Sequence, residues 1–390
     1  MTSPPTNTST TASTSTSACS SADYFAASEA AARAINNRGP IRYGDDGSLH
    51  QDILDAYWEH GFYVFENVVD TVELEELRAD IDDLLGHAPY PHKKSNVDRH
   101  GRPVLGRDLT INPWLMTTPL SDPWGGTTLL NGRHQVKMHE PTPAKNAPAD
   151  VPFLVTGCLQ LSETFLRVYA HPDLLRVAEA VNGPDFTPFN EVLFIKEPGL
   201  GPSIAWHQDG QIHWDSPDWN PGIHGFNFQL QLWGSTAGNG VWVVPGSHTW
   251  GKVDITALVA ANGGDERLPN AVPLVCGPGD LTMTNRQTLH GSFANTSADR
   301  RITVNFGFHR RSSVINQRGA LSNEGSFYDD EYVHERSRII DLAIDARAQH
   351  FSHEDRYDFV PFAGEHDRNR YSPETRESLL RNYNVRDIGI

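Results

Sequence analysis

The chain has 390 residues, with 32 Lys or Arg against 49 Asp or Glu, a formal net charge of −17. That balance excludes a general nucleic-acid binder, which needs a basic footprint on phosphate, and electrostatic docking on anionic lipid. No apolar run approaches the roughly 20 residues of a membrane span. Cys19, Cys158 and Cys276 are too few and too scattered for a disulfide framework or a cysteine zinc site, so a reducing cytoplasmic setting is expected.

Residues 1–22 hold 14 Ser or Thr and no charged side chain. Such a segment cannot bury enough apolar surface to offset its ordering entropy, and it reads as a disordered tail without the basic and apolar regions of a secretory signal. Helices dominate next. Ser48 is placed to cap a helix through about His60, stopped by Gly61. Asp70 caps a second helix, with Glu73 at the capping-box position and Leu74, Leu77, Ile81, Leu84 and Leu85 as its apolar stripe. Residues 87–150, rich in Pro, Gly, His and Asn, read as a long covering loop. A helix follows from Pro172 to about Asn182, closed by Gly183.

From about residue 186 short strands alternate with Gly and Pro turns: Glu191–Lys196, Phe226–Trp233, Val241–Val244, Val272–Val275, Leu281–Thr284 and Arg301–His309. This texture predicts a sandwich or barrel. A helix is expected near 330–349 and a short one near 373–382. Residues 23–310 read as one domain and 311–390 as a partly helical extension packed on it. In Phe226–Trp233 the apolar Phe226, Phe228, Leu230 and Leu232 alternate with Asn227, Gln229, Gln231 and Trp233. In Arg301–His309, Ile302, Val304, Phe306 and Phe308 alternate with Arg301, Thr303, Asn305 and Gly307. Each strand therefore has an oily and a polar face. The polar face is either wet or lines a barrel interior that holds a polar ligand.

His-x-Asp occurs five times: His50/Asp52, His171/Asp173, His207/Asp209, His213/Asp215 and His353/Asp355. On an extended segment such residues project to one side and can share a cation, and a distant His completes a facial triad suited to Fe(II). The first two pairs fall at helix starts and the last lies in a charged region. His207/Asp209 enters the β-rich part, with His213/Asp215 as its competitor. His290 and His248 compete as the third ligand. Arg301 lies on a polar strand face, where a buried guanidinium calls for an anionic partner such as a carboxylate.

Several stretches together resemble the phytanoyl-CoA dioxygenase family of Fe(II)/2-oxoglutarate oxygenases. They are Glu197-Pro-Gly, Ala205-Trp-His-Gln-Asp209, Gly238-Asn-Gly-Val-Trp-Val-Val-Pro-Gly-Ser-His248, Pro278-Gly-Asp-Leu281, and Leu289-His-Gly-Ser292 through Arg300-Arg301. The resemblance covers about residues 48–310. It implies a mainly β double-stranded β-helix (jelly roll, cupin-like) with helical buttresses, and Fe(II), 2-oxoglutarate and O₂ as cofactor and cosubstrates. It maps iron onto His207, Asp209 and His290, the far carboxylate of 2-oxoglutarate onto Arg301, and gives His248 a structural role. Asp209 occupies the position that halogenating members leave small, so hydroxylation is favoured. Gln229 and Lys196 are further cosubstrate candidates. Gln208, His213, Trp214, Trp219, Gln231 and Trp233 are expected on the substrate side, with residues 208–225 covering the metal. The expected substrate is a small polar metabolite or natural-product intermediate. A cosubstrate-free cupin-type metal protein, a non-catalytic binder and a protein hydroxylase are the alternatives. Neither nucleic acid nor membrane is expected as a partner, and nothing in the chain specifies an oligomeric state.

Overall fold

Local signals place the helices. The structure, a computed structural model, describes residues 21–110, 112–189, 191–209, 225–319, 325–381 and 383. Helix α1 (Ser21–Ala34) begins inside the stretch expected to be a disordered tail, whose residues 1–20 lie outside the described ones. Helix α2 (Gln51–His60) is capped by His50, whose Nδ1 accepts the Asp52 N–H, and not by Ser48. Ser48 instead donates its hydroxyl to Asp46 in the preceding turn, which draws it away from the cap. Helix α3 (Thr71–Gly86) has the expected cap: Asp70 Oδ1 accepts the Glu73 N–H at 2.9 Å. Glu73 does not reach back to close a capping box. Its buried carboxylate accepts hydrogen bonds from Arg347 at 2.7 and 3.3 Å, a stronger charge-assisted contact. Short helices α4 (Cys158–Leu161) and α5 (Glu163–Tyr169) precede α6 (Pro172–Asn182), which has Pro172 in its first turn and Gly183 at its end. Helices α7 (Ile255–Ala261), α8 (Asp330–His350) and α9 (Pro373–Leu380) complete the set. Among the described residues no helix is long and apolar enough to cross a membrane.

In chain order the strands of the two main sheets are β1 (Arg38–Gly39), β2 (Phe62–Phe65), β3 (Trp114–Thr117), β4 (Val151–Thr156), β5 (Phe186–Pro188), β6 (Val192–Lys196), β7 (Ile204–His207), β8 (Gly225–Gln231), β9 (Trp242–Val243), β10 (Val272–Pro273), β11 (Leu281–Asn285), β12 (His290–Ser292) and β13 (Arg301–Arg310). The larger sheet has the order β1-β2-β11-β8-β13-β6-β4-β3, with β5 also pairing on β13, and the smaller sheet is β10-β9-β12-β7. Pairing is antiparallel except between β1 and β2. The two sheets enclose a cavity, and the architecture is a double-stranded β-helix buttressed by helices. The region 87–150 is largely irregular, as expected, but contributes β3 to the sheet edge. It is pinned by Asp122, whose carboxylate accepts the Gly125 N–H at 2.9 Å and the Met138 N–H at 2.8 Å.

The alternation in β8 and β13 is resolved by burial. Every residue of β8 is buried, as are the first nine of β13, so neither face is wet. The apolar face (Phe226, Phe228, Leu230, Ile302, Val304, Phe306, Phe308) joins the main core with residues of α3, α5, α6 and α8. Phe306 is in ring contact with Phe165, Tyr169 and Phe228 at centroid distances of 5.6, 5.4 and 5.4 Å. The polar face turns toward the opposite sheet and the cavity. Its inner polar groups are paired across strands: Thr282 Oγ1 donates to Gln229 Oε1 at 3.0 Å and Thr303 Oγ1 to Gln231 Oε1 at 2.6 Å. Helix α8 lies on the back of β5, where Arg336 donates to the carbonyls of Pro188 and Phe189 and Ser337 bonds Thr187.

Candidate functional site

β7 ends on His207 and β12 begins on His290, and these two residues are direct antiparallel partners. The pairing brings the two imidazoles to a centroid distance of 4.1 Å. Asp209, two residues beyond His207, projects to the same side. Its Oδ1 lies 3.6 Å from His207 Nε2 and its Oδ2 3.9 Å from His290 Nε2. One ligand atom from each of the three falls within 4.8 Å of the others, and all three residues are buried.

Hydrogen bonding sets the tautomers. His207 Nδ1 is 2.8 Å from the Ala205 carbonyl and His290 Nδ1 is 2.8 Å from the Thr288 carbonyl. A carbonyl only accepts, so each Nδ1 carries the proton and each Nε2 presents a lone pair toward Asp209. Burial pushes His207 well below the usual histidine range, reinforced by His290 and His134. His290 is also lowered, again chiefly by burial. Burial works against ionisation of Asp209, but Arg133 foremost, then His290, His207 and Arg286, hold its carboxyl well below the usual carboxylate range. Two neutral imidazoles and one carboxylate are a hard-to-borderline N₂O donor set for a divalent metal.

Arg133 and His134 carry no recognisable motif, and the sequence reading missed both. Arg133 Nη1 donates to Asp209 Oδ1 at 2.8 Å, while Asn227 Nδ2 donates to Oδ2 at 3.1 Å. The His134 ring, fully buried, lies tilted by 37° with its centroid 4.3 Å from that of His207, and neither of its nitrogens has a hydrogen-bond partner among the described residues. Burial, then Arg133, pushes His134 down to about 3, so it is neutral.

The triad opens onto a cavity of about 230 Å³ between the two sheets. Its walls are apolar on one side (Leu115, Leu154, Phe194, Ile204) and carry Asn227, Gln229 and Asn305 on the other. Arg301 also lines it, 1% exposed. The guanidinium makes no hydrogen bond or ion pair among the described residues, and its buried Nε is without a partner. Burial pushes Arg301 down to about 10, which leaves it cationic at neutral pH. A buried guanidinium in a cavity wall carries a desolvation cost that an anion entering the cavity can offset.

The remaining predicted residues separate. Gln229 lines the cavity. Lys196 does not: it pairs across from Arg301, and its Nζ donates to Ser292 Oγ at 2.7 Å and the Phe293 carbonyl at 2.6 Å, while Ser292 itself lines the cavity. Gln208 points the other way from its neighbours, as strand alternation requires. Its amide brackets Gly251, Val253 and Gln287 and is used up structurally. Gln231 is occupied by Thr303 and the Gln229 carbonyl. Trp233 lies beyond the end of β8, where alternation stops, and is covered by Arg300 and Arg78 at 4.3 and 5.4 Å. His213, Trp214 and Trp219, like the competing pair His213/Asp215, lie outside the described residues. His248 Nε2 bonds the Trp58 carbonyl at 2.9 Å. It packs where a Cβ on Gly61 would stand 2.5 Å from its ring nitrogen, a structural role. His50 and His171 are helix caps.

The family model described as phytanoyl-CoA dioxygenase (PhyH) matches residues 57–303. No curated protein gives a significant match. Similar solved structures include EvdMO1, at 19% identity and TM-score 0.44, covering 65% of this chain; the chain spans about half (48%) of that protein. EctD from S. alaskensis with 2-oxoglutarate and 5-hydroxyectoine is similar at 18% identity and TM-score 0.48, over 72% of this chain and 81% of EctD. The non-heme alpha ketoglutarate dependent epimerase SnoN from nogalamycin biosynthesis is similar at 16% identity and TM-score 0.45, over 72% and 96%. With the family model spanning more than half its length, the chain belongs to the phytanoyl-CoA dioxygenase family.

Proposed function

We propose that the enzyme hydroxylates an unactivated C–H bond of a small polar metabolite or natural-product intermediate, with His207, Asp209 and His290 holding the metal and Arg301 holding the far carboxylate of 2-oxoglutarate. The observation that carries this reading is the fully buried, uncompensated Arg301 in the wall of the cavity that the His/Asp/His cluster faces. The residues present fit both groups: two Nε2 lone pairs and one carboxylate for Fe(II), and a guanidinium without its own anion for the cosubstrate. Bound iron with 2-oxoglutarate and O₂ supplies the oxidising equivalents for hydroxylation, with succinate and CO₂ as coproducts.

The protein's own part is binding, orientation and exclusion of water. His207 and His290 are delivered deprotonated at Nε2 by their backbone partners, so no proton need leave them on metal binding. Arg301 fixes one end of the cosubstrate, and Ser292, backed by Lys196, offers a hydroxyl in the same cavity. Gln229 presents an amide from β8 and Asn305 one from β13, polar contacts that suit a polar substrate. The cavity lies at or below the roughly 300 Å³ lower end of ligand pockets, which favours a small molecule over a peptide.

The test is anaerobic loading with Fe(II) and 2-oxoglutarate, then oxygen exposure and a count of succinate, for wild type, His207→Ala and Arg301→Ala. Metal-dependent succinate that falls in both variants is expected. Iron-loaded, folded protein that does not bind 2-oxoglutarate would reject the reading in favour of a cosubstrate-free metal protein. A candidate substrate is then scored by its hydroxylated product and its stoichiometry with succinate.

A further inference from the structure

Asp209 is gripped at both oxygens by donors from two separate elements. Arg133 holds Oδ1 at 2.8 Å from the irregular segment after β3, and Asn227 holds Oδ2 at 3.1 Å from β8. The fold pays conformationally to put Arg133 there. Leu130, Asn131 and Gly132, immediately before it, have φ of 50°, 59° and 68°, three successive left-handed residues of which two are not glycine. Such conformations persist where the surroundings over-determine them, and they concentrate at functional sites. Leu130 and Arg133 both line the cavity. Arg133 is itself nearly buried, with a side chain 14% exposed and an Nε without a partner, so a surface ion pair is not what it provides.

We propose that Arg133 and Asn227 form an anion cradle that positions Asp209 for the metal: they are positioning residues, not ligands. With a side-chain donor on each oxygen, the carboxylate is fixed in rotation. Whichever oxygen gives a lone pair to the metal, the other stays tied to its own donor. Chelation by both oxygens is thereby opposed, which keeps coordination positions open for cosubstrate and oxygen. The cradle also exists independently of the Asp side chain, because its two donors are carried by elements other than the one bearing Asp209. If the carboxylate is cut away, Arg133 and Asn227 still converge on the place it occupied, and a small free carboxylate should fill it.

This inference rests on the reading of Asp209 as a metal ligand, and the test separates the two. Fe(II) and Co(II) affinities are measured anaerobically by competition with a chromophoric chelator, without turnover, for wild type, Asp209→Ala, Arg133→Met, Arg133→Lys and the double variant D209A/R133M, each with and without millimolar formate. Thermal unfolding of the metal-free proteins reports folding. Asp209→Ala should lose metal affinity and recover at least about tenfold on adding formate, whereas the double variant should not recover. Arg133→Met should lose roughly 10–100-fold in metal affinity, the range for partners that orient a ligand, and Arg133→Lys should restore part of it. If Asp209→Ala leaves affinity unchanged, the ligand reading fails and the cradle with it. If Asp209→Ala loses affinity but Arg133→Met stays within about twofold of wild type while folded, the cradle alone fails. Equal formate rescue with and without Arg133 overturns it too. Should Arg133→Met unfold, Asn227→Ala, alone and combined with Asp209→Ala, decides the matter on the same terms.

Discussion

Replacing Arg301 by Leu should weaken 2-oxoglutarate binding without destabilising the cosubstrate-free protein. Arg301 is 1% exposed and forms no ion pair among the described residues, so the folded chain carries the desolvation cost of a guanidinium with nothing to offset it. A leucine, shorter but apolar, removes that cost at a position that already faces a cavity, and the unfolding midpoint of the metal-loaded, cosubstrate-free protein should stay level or rise. Binding should move the other way. Two charge-assisted hydrogen bonds to a carboxylate contribute about 1.5–3 kcal/mol each, so their loss should raise the Kd by about 10²-fold or more. The readout is thermal unfolding under nitrogen with a redox-inert divalent metal. At 100 times the wild-type Kd, 2-oxoglutarate stabilises the wild type by about 2.7 kcal/mol. With an unfolding entropy near 2.1 cal/mol/K per residue, 390 residues convert that to a rise of about 3 °C. Arg301→Leu should show a rise below about 0.5 °C at the same concentration. A variant that unfolds several degrees early without cosubstrate, or one that retains the full shift, would refute the assignment of this guanidinium to an incoming anion.

Phe306→Ala, which empties the aromatic contact between β13 and α5, should cost about 3–5 kcal/mol in urea unfolding with an unchanged m-value; a loss under about 1 kcal/mol would show that the rings contribute little. Among the described residues Glu73→Gln leaves Arg347 only Glu354 for ion pairing, so its cost should fall below the roughly 3–5 kcal/mol of a fully orphaned buried charge but stay above about 1 kcal/mol. His171, pushed down to about 4 by burial and then by Arg347, binds its proton less readily folded than unfolded. Below about pH 6.5 the unfolded chain takes up that proton first, so stability falls as pH drops from about 6.5 toward 4, by up to about 1.4 kcal/mol per pH unit for this group. His171→Asn keeps a capping side chain and should flatten that limb of the stability–pH curve; an unaltered slope would place the titration elsewhere.

What was legible beforehand follows from length and period. β8 and β13 are long enough for alternation to show, and the turn and cap residues around α6 bracket it on both sides. β7 and β12, which carry the histidines, have four and three residues, too short for any period, and only the His-x-Asp spacing and the family resemblance marked them. Arg133 could not be found from the chain, since it sits in an aperiodic stretch and meets Asp209 only through tertiary folding. Gln208 illustrates the opposite case: a residue between two same-side neighbours on an extended segment faces away from them, so alternation itself argued against a substrate contact.

The cross-strand amide–hydroxyl pairs, Gln229 with Thr282 and Gln231 with Thr303, bear on how the sheet finds its alignment during folding. From Phe226 on, β8 carries apolar and amide residues in strict succession, and it is flanked on both sides by strands that also alternate apolar and polar residues. A slip by one residue would drive Asn227, Gln229 and Gln231 among the rings of the main core and turn three large apolar side chains into the cavity. Misaligned chains would therefore lose twice, in oil and in unmet amides, and the same side chains that make the interior polar act as a proofreading key for strand assembly.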